Sequence, residues 1–109
     1  MSNRITITRG DTFETDVTVV NENGVAEPLT DADITWSIAR TTGGEVLLTR
    51  TVGSGIVVQD EDAGEIYMFL TETQTDDLPA GTLWHYVVVE FSDSRVKTVI
   101  RDVATVLDR

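Results

Sequence analysis

Apolar and polar residues alternate along most of this chain, and turn signals cut the alternation about every ten residues. Ile5-Thr6-Ile7-Thr8 is alternating and β-branched, which predicts a first strand. Arg9-Gly10-Asp11 turns the chain. Phe13, Thr15, Val17 and Val19 then share one face of a longer strand, with Glu14, Asp16 and Thr18 on the other. Asn23-Gly24 is a tight-turn signal, and Pro28 marks the loop beyond it. In the next strand Ile34, Trp36 and Ile38 share a face. Gly43-Gly44 predicts a hairpin that returns residues 46–51 beside the Trp36 strand. Gly53-Ser54-Gly55 breaks the chain, a short strand follows over residues 56–59, and residues 60–64 form an acidic turn. Ile66, Met68 and Leu70 lie opposite Tyr67 and Phe69, so that strand is apolar on both sides. It is either covered twice or presents an interaction patch.

Residues 72–78 form the one helix candidate, a single turn with a threonine cap and early acids, ending before Pro79-Ala80-Gly81. A long strand runs over residues 83–91, with Trp84, Tyr86 and Val88 on one face and His85, Val87, Val89 and Phe91 on the other. The last strand covers residues 96–107, bent or bulged in its middle. Seven to eight short strands with half-buried alternation predict one all-β domain over residues 1–109, an antiparallel β-sandwich with Trp36 and Trp84 in its core. An up-and-down barrel is the runner-up. A single open sheet would leave an apolar face wet.

Composition narrows the function. A chain of 109 residues with 40% hydrophobic content folds around one core. Without cysteine it has no disulfide framework and no thiolate metal site. The charge of 8 − 19 = −11 disfavours nucleic acid and anionic lipid, which need clustered Lys and Arg. Residues 1–4 lead straight into a strand, so no signal peptide is expected, and no run nears the roughly 20 apolar residues of a membrane span.

Candidate chemistry is sparse. His85 is the single histidine, and no nucleophile-elbow motif frames Ser37, Ser54, Ser92 or Ser94, so a packed histidine is expected rather than a catalytic one. Asp60, Glu61, Asp62 and Glu65 cluster as a hard cation would require, but without EF-hand spacing, and a solvated turn accounts for them. Arg9-Gly10-Asp11 spells an adhesion tripeptide whose Gly-Asp has an ordinary turn role. No catalytic, cofactor or metal residue is therefore expected.

Several segments in order carry a resemblance: Ile7-Thr8-Arg9-Gly10-Asp11-Thr12-Phe13, Leu29-Thr30-Asp31-Ala32-Asp33-Ile34-Thr35-Trp36, Gly53-Ser54-Gly55-Ile56, Ala63-Gly64-Glu65-Ile66 and Leu78-Pro79-Ala80-Gly81-Thr82-Leu83-Trp84. Their order resembles the small immunoglobulin-like domains of tailed bacteriophages and prophages, close among them the N-terminal domain family of the phage baseplate upper protein. The resemblance implies an immunoglobulin-like sandwich made in the bacterial cytoplasm and built into a virion, as a baseplate, tail, neck or head component. It implies no enzyme activity. Its partners would be other virion proteins and further copies of itself, through edge strand residues Ile5 and Ile7 and the Tyr67 and Phe69 face. A host-surface carbohydrate-binding or adhesion module is the alternative, and a hydrolase built on His85 is the third reading. Burial of Trp36, Trp84 and His85 separates the three.

Overall fold

The computed structural model describes residues 4–21, 23–41 and 43–108. The lead-in at residues 1–3, read above as lacking a signal peptide, lies outside them, as do Glu22, Thr42 and Arg109 beside the predicted turns and the last strand. The described residues form eight strands and one short helix, in order: β1 (Ile5–Thr8), β2 (Phe13–Thr18), β3 (Asp33–Ala39), β4 (Val46–Val52), β5 (Gly55–Asp60), β6 (Glu65–Leu70), α1 (Glu72–Asp76), β7 (Gly81–Glu90) and β8 (Val96–Leu107). The strands join edge to edge in the order β1-β8-β7-β3-β4-β5-β6-β2. This ribbon folds over at β4 and β5, which share only the pairs Thr51 with Gly55 and Val52 with Ile56. One layer is β1-β8-β7-β3-β4, and the other is β5-β6-β2.

The alternation explains which side chains meet between the layers. Ile34, Trp36 and Ile38 of β3 are buried, as are His85, Val87 and Val89 of β7 and Ile100, Ala104 and Val106 of β8. Ile56, Ile66, Met68 and Leu70 face them from β5 and β6. The Phe13 ring of β2 lies 6.1 Å from the Trp36 indole, so side chains from opposite layers interdigitate at the centre. Sandwiches of this kind often set a tryptophan of the third strand against an inter-sheet disulfide. With no cysteine available, Trp36 packs instead on Phe13 and on His85, whose ring stands edge-on at 6.4 Å.

Three findings change the expected picture. Trp84 is not core: it is partly exposed, on the outer face of β7 with Tyr86 and Val88, while Leu83, His85, Val87 and Val89 turn inward. Ile7 is 1% exposed and belongs to the core, so its side chain is no contact residue. Two pairings are parallel, β1 with β8 and β4 with β5, within a sandwich otherwise antiparallel. The predicted irregularity of the last strand is a bulge: Val87 opposes Ile100 and Val88 opposes Thr98, leaving Val99 unpaired.

The helix follows its local signals. The Thr71 hydroxyl accepts from the Gln74 N–H at 3.3 Å, and the Gln74 side chain accepts from the Thr71 N–H at 2.9 Å, closing a capping box. Five residues cannot hold a helix alone. Thr75 anchors it: the buried hydroxyl accepts from the Gly10 N–H at 3.1 Å and donates to the Asp11 carbonyl at 2.8 Å.

A buried hydrogen bond defines the state of His85. The Trp36 Nε1–H donates to His85 Nδ1 at 3.2 Å. Indole nitrogen can only donate, so Nδ1 must accept and carries no hydrogen. His85→Leu fills the site with an apolar side chain of similar size but strands the indole N–H in the core. It is expected to cost about 1–3 kcal/mol. Adding Trp36→Phe removes the orphaned donor, so the double variant is expected to be more stable than the two single losses predict. Urea titration of the four proteins checks this. Strictly additive losses would show that the bond contributes nothing.

Candidate functional site

Two outer faces carry aromatic residues. On the β4-β3-β7-β8 face, Trp84, Tyr86 and Val88 form a strip along β7. Its neighbours in register are small on one side: Ala39 lies beside Trp84 and Ser37 beside Tyr86. Ala39 and Ser37 are themselves covered, at 0% and 7% exposure, although they point away from the core. On the other side Val103 pairs with Trp84, Arg101 with Tyr86 and Thr98 with Val88. Tyr86, Val88, Thr98, Arg101 and Gly43 line a shallow hollow of about 260 Å³. The face therefore offers an apolar strip, a guanidinium and hydroxyl groups, and no further strand of the described residues lies over it.

The second face is that of β2, β5 and β6. Tyr67 and Phe69 stack with ring centres 5.7 Å apart. The Arg50 guanidinium sits 5.5 Å from the Phe69 centroid. Arg50 reaches this face by passing Gly55, whose φ of +108° and missing Cβ leave the room it occupies. The Tyr67 hydroxyl donates to Glu14 Oε2 at 2.7 Å. That hydrogen bond, before any other cause, holds the phenol above its usual range, and the nearby Glu14 and Asp16 charges push it the same way. Both rings are half-buried, as the Trp84 strip is, but here the chain's own Arg50 and Glu14 already engage them. Ile5 is likewise half-buried, on the edge strand β1.

The remaining candidates resolve into structural roles. His85 is 1% exposed, and its Nδ1 is engaged by Trp36. Ser37 pairs with Tyr86 on the outer face, opposite to the side His85 takes. Arg9 binds the Asp76 carbonyl at 2.9 Å and Asp108 at 2.8 Å, tying the helix to the end of β8, so the Arg-Gly-Asp turn is held by internal bonds. In the acidic turn Asp60 caps the Ala63 N–H. The Glu61 carbonyl accepts from Leu29 at 2.8 Å and from Gly64 at 3.4 Å, and its carboxylate accepts from Thr30 at 3.3 Å. Among the described residues no three His, Asp or Glu side chains gather as ligands for a metal ion. No described helix is long and apolar enough to cross a membrane.

The Trp84 strip is the feature that sequence reading misassigned. Both faces of β7 are apolar, and periodicity alone does not say which one goes inward. A usable signal was the neighbouring register, since the small Ser37 and Ala39 sit opposite the Trp36 face on β3.

No family model matches the chain, and no curated protein matches its sequence. Among solved structures it is similar to the crystal structure of the ZIG-8–RIG-5 IG1–IG1 heterodimer, with 16% identity and a TM-score of 0.50, covering 98% of this chain and 83% of that one. The chain is an immunoglobulin-like β-sandwich.

Proposed function

We propose that this protein is a non-enzymatic interaction module, a virion structural or accessory protein of a tailed phage or prophage held in place by protein contacts. The half-buried Trp84, Tyr86 and Val88 strip on the outer face of β7, rimmed by Arg101, carries this reading. Trp, Tyr and Arg are the residue types that dominate interface energetics when desolvated. An immunoglobulin-like domain that assembles through a pairwise contact has a precedent in the similar solved heterodimer. The phage setting rests on the sequence resemblance and on a charge of −11, which keeps copies apart until a specific contact overrides repulsion.

The tagged chain, expressed with the products of its neighbouring genes, is expected to sediment with particles or particle sub-assemblies. Recovery solely at the position of a free 12.0 kDa chain would overturn the virion reading. Trp84→Glu is expected to move the protein to the free fraction, at a stability cost well below that of a core tryptophan. Unchanged sedimentation of this variant would remove the strip from the contact.

A host-surface glycan module is the second reading, favoured by the hollow that sets Tyr86 beside Thr98 and Arg101. It predicts that an oligosaccharide panel quenches Trp84 fluorescence, with Trp36 shielded in the core.

A further inference from the structure

The sandwich is open along one side. β1 and β2 end the strand order, and among the described residues nothing pairs with the outer edge of β2. β1 covers only the Ala104–Leu107 end of β8. Beyond it, the Val99 and Ile100 segment of β8 and the second half of β2 flank a seam between the layers. Two hollows occupy it. One of about 430 Å³ is lined by residues 16–20 together with Val99 and Ile100. The next, of about 210 Å³, continues past Thr15 and Ile5 to Met68 and His85. Val20, which lines the larger hollow, is 45% exposed.

The backbone of β2 is oriented toward this opening. The Val19 N–H donates to the Gly64 carbonyl, and the Val19 carbonyl accepts from Glu27 N–H, so Val19 turns its peptide groups inward, toward β6 and the following loop. Alternation then directs those of Glu14, Asp16 and Thr18 outward. Their side chains point away from the core and are exposed.

We propose that this seam accepts an extended strand of another protein, which adds to the edge of β2 with apolar side chains turned into the hollows and basic side chains turned outward. An added strand would set its inner residues among Val17, Val19, Val99 and Ile100 and its outer residues beside Glu14 and Asp16. A second copy pairing through the same edge would bring Glu14 and Asp16 against their own counterparts, between two chains of charge −11. Acids on an edge also serve to keep it unpaired. A guarded edge, however, needs no apolar hollow beside it. The seam deepens the interaction reading and uses a surface separate from the Trp84 strip.

The test is binding of a blocked seven-residue peptide alternating lysine and valine. A peptide of identical composition with its lysines and valines in blocks serves as control. The alternating peptide is expected to bind at least tenfold tighter in physiological salt, and to slow amide exchange at Asp16, Thr18 and Val20. Thr18→Pro deletes an outward N–H at an edge position where proline is tolerated, and is expected to abolish the preference. Glu14→Lys with Asp16→Lys is expected to transfer the preference to the alternating glutamate–valine peptide. Equal binding of both peptides, or exchange protection confined to the Trp84 face, would overturn the seam. Trp84→Glu is expected to leave peptide binding unchanged, so the seam and the strip fail separately.

Discussion

Trp36→Ala is expected to destabilise the protein by about 3–5 kcal/mol. The indole is fully buried, touches Phe13 from the opposite layer and stands against His85. Truncation forfeits its transfer from water and leaves a cavity between two sheets, which relax only in part. It also takes the hydrogen from the Trp36–His85 bond and leaves Nδ1 in the core without that donor. A domain of ordinary stability, about 5–15 kcal/mol, would lose a large share of its margin. Urea titration should shift the midpoint with little change in slope. A loss under about 1 kcal/mol, the size of a surface change, would show that this ring does not fill the core.

Gly64→Ala should rank next. Gly64 has a φ of +67°, a left-handed conformation costly for any residue with a Cβ. An added Cβ would lie 2.6 Å from the Val19 carbonyl oxygen and 2.8 Å from that of Glu27. Both are backbone atoms, so no side chain can swing away. Gly24→Ala supplies the control, because Gly24 has a similar φ of +78° with nothing within 4 Å of the new Cβ. The control is expected to cost about 1–2 kcal/mol for the backbone alone. Gly64→Ala should cost about 1–3 kcal/mol more, the range of overpacking. Equal losses would show that the two carbonyls move aside freely. The comparison also bears on the acidic turn, whose backbone joins the β2 exit, the Leu29 loop and β6 around Gly64.

Much of this fold was legible because its signals are local. Alternation or flanking turn signals marked all eight strands, and a threonine cap with early acids announced the helix start. The irregular middle of β8 was expected, and Val99 is the unpaired residue. Trp36 could be placed in the core because its own strand is apolar on one face and mostly polar on the other. The surfaces were less legible. Ile5 and Ile7 alternate identically with threonine, yet Ile7 is core and Ile5 only partly covered, since burial depends on what lies across the seam. Tyr67 and Phe69 could be named as a patch, but not the Arg50 side chain that crosses Gly55 to lie over Phe69 from another strand.

Strand positions, turns, cap and bulge follow from the residues alone, because each depends on neighbours a few positions away. The parallel pairing of β1 with β8, the fold-over between β4 and β5, and the open seam beside β2 depend on which distant strands become adjacent. The fate of Trp84 belongs with them. When both sides of a strand are apolar, hydrophobicity gives no preference between them, and the packing of Trp36, His85 and the facing layer selects the side that stays wet.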